Sequence, residues 1–169
     1  KVMFQGVSAD VDSTMWKEID GQTGETEEQK TKSFQKYHNC SSIGSDEVGT
    51  GDYFGPIVVT ASFVKKSDVE FLEKLGIRDS KKINDETILK IAPEIAKRIQ
   101  YKSIILSNKE YNEKHGNDHN MNKIKAILHN KVLYQLVHEV TEDYDYIIVD
   151  EFAREARYYD YIKDSTQIQ

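Results

Sequence analysis

Residues 42–64 decide how this chain folds: Ser42-Ile43-Gly44-Ser45-Asp46-Glu47-Val48, then Gly49-Thr50-Gly51-Asp52-Tyr53-Phe54-Gly55-Pro56, then Ile57-Val58-Val59-Thr60-Ala61-Ser62-Phe63-Val64. In the last segment Ile57, Val59, Ala61 and Phe63 alternate with Val58, Thr60 and Ser62, the period-two pattern of a half-buried antiparallel strand. Ile43–Val48 reads as the strand before it, so the glycine-rich stretch lies between two strands. Glycines at 49, 51 and 55 allow that backbone to turn with positive φ and to approach another molecule closely. Adjacent carboxylates at Asp46 and Glu47 beside such a backbone suit a hard cation and a phosphodiester. Oxygen ligands hold Mg²⁺, and exposed N–H groups hold phosphate or hydroxyl. For Asp46-Glu47-Val48-Gly49 taken alone, a polar hairpin turn is the simpler reading.

Upstream, Val2-Met3-Phe4 resembles the end of a strand, and Ser13–Ile19 fits a short helix carrying Trp16. So little structure buries no core of its own. Asp20–Lys36 is Gly, Thr, Glu, Gln and Lys with almost nothing apolar, the composition of a mobile linker. The chain starts without methionine, as though it continued something upstream.

Downstream, Ser67–Leu75 is expected to form a short helix closed by Gly76. After Arg78-Asp79-Ser80-Lys81-Lys82, Asn84 is a good N-cap, with Asp85 and Glu86 in the first turn and Ile88, Ile91, Ile95 and Ile99 at helical spacing. Pro93 is expected to kink or restart that helix. Tyr101–Leu106 follows as a third strand, and His115 and His119 fall in a Gly/Asn-rich loop. Asn120–Val140 is the longest helical pattern, with Met121, Ile124, Leu128, Val132 and Leu136 as its buried stripe. Asn122, Lys125 and His129 make a separate polar face of donors, for which the plain alternative is a solvated surface. Tyr146-Ile147-Ile148-Val149 runs into Asp150, a pattern expected of a central parallel strand covered on both faces. The acid stands at its carboxyl end, where ligands bind in open α/β sheets. A last helix, about Ala153–Ile162, carries Tyr158, Tyr159 and Tyr161.

With 169 residues the chain can bury a proper core. Its net charge of −6 does not advertise a nucleic-acid partner, although residues 78–102 and 109–131 lean basic between acidic ends. The single cysteine, Cys40, permits neither a disulfide framework nor a cysteine zinc site, and the absence of a membrane-length apolar run or signal peptide completes the expectation of a soluble cytoplasmic protein.

Four stretches carry a resemblance: IGSDEVGTGDYFGP, RDSKK, MNKIKAILHN and IIVDEFA, in the order and approximate spacing of bacterial ribonuclease HIII. The likeness runs from about Tyr37 to Tyr161 and is closer to type III than to ribonuclease HII, whose turn usually has Gly-Arg-Gly where this chain has Gly49-Thr50-Gly51. The resemblance implies an α/β, ribonuclease H-like mixed sheet, antiparallel for its first strands and then parallel, with helices on its faces. It implies hydrolysis of the RNA strand of an RNA/DNA hybrid with Mg²⁺ or Mn²⁺, leaving 5′-phosphate and 3′-hydroxyl ends. By position, Asp46, Glu47 and Asp150 are the catalytic, metal-binding acids, and Gly49, Thr50 and Gly51 match the loop that approaches the ribose 2′-hydroxyls. Residues 1–19 resemble the end of that family's N-terminal TATA-binding-protein-like substrate domain, 20–36 the linker and 37–169 the catalytic domain. The family has a fourth active-site acid in a later segment, so the expectation is a fragment of a longer enzyme.

In that framework Asp46 and Asp150 should meet across neighbouring strands, with Asp46 the bridging ligand. Glu47 is awkward, because consecutive strand side chains point to opposite faces. Either the strand ends or twists there, or the residue contributes its main-chain carbonyl. Tyr53 is a candidate to lie against a sugar or base, or equally a core aromatic. Lys81 and Lys82, ahead of a helix N-terminus, are candidates for phosphates, and Asn122 and Lys125 for the substrate as well. His115, His119 and His129 lack the further ligand that a zinc set needs. The expected partner is an RNA/DNA hybrid, with no membrane and no obligate protein partner. The main alternative to a nuclease is a hybrid-binding module that no longer cuts; a small-ester phosphohydrolase would leave the Gly-Thr-Gly loop unexplained.

Overall fold

The two strands that flank Gly49–Pro56 are the centre of one mixed sheet. The computed structural model describes residues 2–5 as main chain, together with 39–77, 83–115 and 119–163. In chain order they form β1 (Val2–Gln5), β2 (Ser42–Val48), β3 (Ile57–Val64), a 3-10 turn at Lys66–Asp68 that runs into α1 (Val69–Lys74), and α2 (Asp85–Arg98). Then come β4 (Gln100–Leu106), α3 (Asn108–His115), α4 (Met121–Glu139), β5 (Tyr146–Asp150) and α5 (Glu155–Ile162). The sheet order is β1-β5-β2-β3-β4. β2, β3 and β4 are antiparallel neighbours, and β5 joins parallel to β2. This is the expected mixed α/β sheet. Val2–Gln5, assigned from sequence to an N-terminal unit, runs parallel to β5 in the same sheet, with Gln5 beside Asp150. The helix expected at Ser13–Ile19, the linker 20–36 and the stretch Arg78–Lys82 lie outside the described residues.

Period-two patterning translates directly into burial. Ile57, Val59, Ala61 and Phe63 of β3 are all buried, and they face α4 through Ile124, Leu128, Val132 and Leu136. Each of these side chains other than Ala61 contributes about 1.5–3 kcal/mol on leaving water. Tyr158 and Ile162 of α5, which packs on α4, belong to the same core. Covered by the sheet and by α5, α4 has little solvated surface. Lys125, His129 and Asn130 are buried within it, so the polar face read from sequence as substrate donors or a solvated surface is interior at Lys125 and His129 and exposed at Asn122. β5 departs from expectation in the other direction: Val149 is buried, whereas Ile147 and Ile148 are only partly covered.

Helix ends follow their cap residues. Asn84 Oδ1 accepts from the Thr87 N–H at 2.8 Å, and Asn120 Oδ1 from the Lys123 N–H at 2.8 Å. Gly76, at φ 74°, ends the helical turn of α1, with the Ile77 N–H on the Leu72 carbonyl at 3.1 Å. α2 passes through Pro93 as one helix, so of the kink or restart expected from sequence the restart does not occur. α3 is a correction to the loop expected around His115, which instead ends this helix. Its start is a capping box: the Glu110 N–H donates to Ser107 Oγ at 3.3 Å, and Glu110 Oε2 accepts from the Ser107 N–H at 3.0 Å. No helix among the described residues is long and apolar enough to cross a membrane.

Candidate metal centre

β2 and β5 run parallel, with Ser42 beside Tyr146 and Ser45 beside Val149. One further step along both strands brings Asp46 next to Asp150. The ligand oxygens of Asp46, Glu47 and Asp150 all lie within 4.8 Å of one another, the one group of three or more potential ligands among the described residues. The meeting of positions 46 and 150 expected from sequence is therefore present.

Glu47 joins them through its side chain, not its main-chain carbonyl. Alternation along β2 sends Ser45 and Glu47 toward α4, while Asp46 stays exposed. The Asp46 carboxylate folds back so that Oδ1 accepts from the Glu47 N–H at 2.7 Å. Beneath α4, Glu47 Oε1 is paired with the Lys125 ammonium, and Oε2 accepts from His129 Nε2 at 2.8 Å. Lys125 and His129 stand four residues apart on one helical face, so both reach the same carboxylate. On its other side, His129 Nδ1 lies 2.8 Å from Ser45 Oγ. Because a carboxylate only accepts, Nε2 carries a hydrogen; in the neutral ring, Nδ1 then accepts from the Ser45 hydroxyl. Phe152, two residues beyond Asp150, closes the assembly: its ring stacks on His129 with centroids 5.0 Å apart and lies 4.3 Å from Lys125 Nζ.

The acids respond differently to these surroundings. Burial alone would raise the Glu47 pKa, but the hydrogen bonds and charges of His129 and Lys125 outweigh it and hold the group below the ordinary glutamate value. Asp150 is pushed above the ordinary aspartate value by burial first and then by the charges of Asp46 and Glu47, against weaker pulls from the Glu151 main-chain hydrogen bond and from Lys125. An all-oxygen cluster with one acid pre-ionised and another crowded by like charge fits a hard divalent cation. His129 has both ring nitrogens engaged within the protein and offers neither to a zinc ion.

The glycine-rich loop divides its work. Gly49 has φ 91°, and a Cβ there would lie 2.2 Å from the Pro56 carbonyl oxygen, so this glycine is a requirement of the turn. Gly51 has nothing within 4 Å of a built Cβ. Gly49, Thr50, Gly51 and Tyr53 line an open pocket of about 410 Å³ together with Asn108 and Tyr111 of α3, and Asn108 Nδ2 donates to the Tyr53 carbonyl at 3.3 Å. Tyr53 is 91% exposed and Phe54 94%, which removes the core-aromatic alternative for Tyr53. Asn122 is exposed on the first turn of α4, beside the pocket-lining Met121. Lys125, expected among the substrate-binding donors, is instead committed to Glu47, because its helix face packs against β2. Lys81 and Lys82 lie outside the described residues. Sequence reasoning missed Ser45 and Phe152 and left His129 on a solvated face. A polar residue at 45, in the row of Ile43 and Glu47, was the available signal that something polar must meet it.

An α/β sheet that gathers three carboxylates at the carboxyl end of a parallel strand pair defines an α/β protein with an oxygen-donor metal site. Residues 43–169 match the family model described as Ribonuclease HII, and the chain belongs to that family. Over its whole length it is 38% identical to "Ribonuclease HIII" of Bacillus mycoides and 37% identical to the protein of that name from Bacillus cereus, covering 56% of each. The chain thus spans about half the length of the curated relatives it matches. A crystal structure of Bst ribonuclease HIII in complex with Mn²⁺ superposes with a TM-score of 0.80 at 37% identity, over 98% of this chain and 55% of that one. The ribonuclease H2 of Pyrococcus horikoshii, at 24% identity and a TM-score of 0.59, shares the fold.

Proposed function

We propose that this chain carries the metal-dependent nuclease centre of a type III ribonuclease H, an endonuclease that hydrolyses the RNA strand of RNA/DNA hybrids to give 5′-phosphate and 3′-hydroxyl ends. The observation that carries this reading is the convergence of Asp46, Glu47 and Asp150 oxygens within 4.8 Å at the end of two parallel strands. These residues would hold Mg²⁺ or Mn²⁺, which when bound makes a water nucleophilic at neutral pH and stabilises the leaving oxygen. Asp46, the exposed member, faces the side from which a phosphodiester arrives. Glu47 stays ionised beneath it, and Lys125 offsets part of the cluster's charge.

Selectivity for RNA requires contact with the 2′-hydroxyl, a donor and acceptor on the minor-groove side. Thr50 and Gly51, open to solvent beside the pocket, present main-chain groups without bulk, and Tyr53 supplies an exposed ring for a sugar or base. Asn122, Lys81 and Lys82 are the remaining substrate-facing candidates. The domain reading that accompanies the proposal assigns 37–169 to the catalytic unit, 20–36 to a linker and 1–19 to the end of a substrate-binding unit, of which Val2–Gln5 nevertheless pairs with β5 in the catalytic sheet. A cytoplasmic location goes with it.

The test is a labelled RNA/DNA hybrid incubated with the chain and Mn²⁺, read both for cleavage and for retention on a filter. Cleavage that is lost in Asp46→Asn while retention persists is the expected result. Equal cutting of duplex DNA would overturn the 2′-hydroxyl assignment. The second reading is a hybrid-binding module that does not cut. Retention without cleavage by the unaltered chain would establish it.

A further inference from the structure

We propose that Ser45, His129 and Lys125 are a positioning device that holds the Glu47 carboxylate in the attitude needed for a cation, with His129 as its pivot. This inference rests on the carboxylate cluster being a cation site. It concerns three residues that are not themselves ligands in that reading.

A glutamate side chain has three rotatable bonds and reaches a ligand position only if something holds it. Here both oxygens are held from one helical face, Oε1 by Lys125 and Oε2 by His129 at 2.8 Å. A carboxylate offers about four lone-pair sites, so this double grip still leaves two for a metal ion. Glu47 nevertheless keeps its oxygens within 4.8 Å of those of Asp46 and Asp150. It is therefore gripped from behind without being withdrawn from the cluster.

The grip is itself secured. His129 is fully buried, and Ser45, which meets its second nitrogen at 2.8 Å, is 6% exposed. Ring rotation would break both bonds at once, and Phe152 stacked at 5.0 Å fixes the ring plane. Stability does not explain the arrangement: replacing a buried charged network by apolar side chains of similar volume is often neutral or stabilising. The buried residues of α4 are mostly apolar, with Ile124, Leu128 and Val132 close in sequence to Lys125 and His129. Placing a lysine and a histidine there makes sense if the orientation of Glu47 is what they secure. Outer hydrogen-bond partners of metal-binding carboxylates act in this way, and losing one typically weakens metal binding about 10–100-fold.

The experiment measures Mn²⁺ affinity directly, by calorimetry and by the electron-paramagnetic-resonance signal of free Mn²⁺, on the chain and on His129→Leu, His129→Gln, Ser45→Ala and Asp46→Asn. Melting curves in EDTA establish that each variant folds. We expect His129→Leu to bind Mn²⁺ about 10-fold or more weakly, and His129→Gln, whose amide N–H still reaches Glu47, to stay within about 3-fold of the unaltered chain. Ser45→Ala should fall between them. A folded His129→Leu that binds Mn²⁺ normally, even with a lowered melting temperature, would reduce the residue to a structural role and overturn the inference. Equal losses in the Leu and Gln variants would also overturn it, because the hydrogen bond would then not matter. If His129→Leu does not fold, an undiminished affinity in Ser45→Ala is the refuting result. Failure is attributable: no Mn²⁺ binding by the unaltered chain removes the metal site itself, whereas binding lost only in Asp46→Asn leaves the site and removes the positioning device.

Discussion

Replacing Asp150 by asparagine should make the metal-free protein more stable, the reverse of what removing an active-site charge does where the charge is paired. Asp150 has two carboxylate neighbours with oxygens within 4.8 Å and one attenuating ammonium, that of Lys125. At that separation each like-charge pair costs about 1 kcal/mol in a water-like dielectric and about 3.5 kcal/mol at an effective constant of about 20. The site is half open, so solvent screening argues for the lower figure. Two repulsions less one attraction leave about 1 kcal/mol to be relieved, or about 2–4 °C in melting temperature for a chain of this size. Linkage sets the pH dependence. A carboxyl whose folded pKa is raised contributes stability that is complete below its ordinary value and is lost as pH rises through the raised one. The advantage of Asp150→Asn should therefore be full at neutral pH and vanish on acidification below the ordinary aspartate range. Thermal melts in EDTA at the two pH values measure it, and repeating them with millimolar Mn²⁺ should reverse the order, because only the unaltered chain then gains from the cation. An asparagine variant that melts below the unaltered chain at neutral pH without metal would refute the reasoning.

Glu47→Gln should behave oppositely, losing about 3–5 kcal/mol without metal because it leaves the Lys125 ammonium buried and unpaired. Since the Glu47 pKa is depressed, its contribution is present above the ordinary glutamate value and is lost as pH falls through the folded one; a pH series of denaturant melts checks this. Gly49→Ala should cost about 1–2 kcal/mol for its backbone angle alone, and more for the Pro56 contact, whereas Gly51→Ala should change stability by less than about 0.5 kcal/mol. On the proposed function, Gly51→Ala weakens hybrid retention on a filter while melting normally. Asn84→Ala should cost about 1 kcal/mol by removing the cap on Thr87, readable in urea midpoints.

Local rules carry most of the architecture. The alternation of Ile57–Val64, the caps at Asn84 and Asn120, and the stop at Gly76 each depend on residues within a few positions, and all appear in the fold. α3 was equally legible, since Ser107 and Glu110 form a capping box that a loop assignment overlooked. The loop chemistry was partly so. Three glycines in a row of turn residues look alike in sequence, yet Gly49 is demanded by its own backbone and Gly51 is not.

By itself the amino-acid sequence determined strands β2 to β5 and helices α1, α2, α4 and α5, the adjacent acids at 46 and 47, and, through the family likeness, that Asp150 belongs with them. Only the tertiary structure decided what Lys125 and His129 are for. Helical spacing puts the two on one face, but whether that face meets water or Glu47 depends on where α4 lands against β2, about eighty residues away in the chain. Ile124, Leu128 and Val132 share one core with Ile43 and Val59, a long-range packing that no local pattern encodes. A carboxylate held from behind and a carboxylate crowded from the front are chemically different groups, and their distinction exists only once the layers have met.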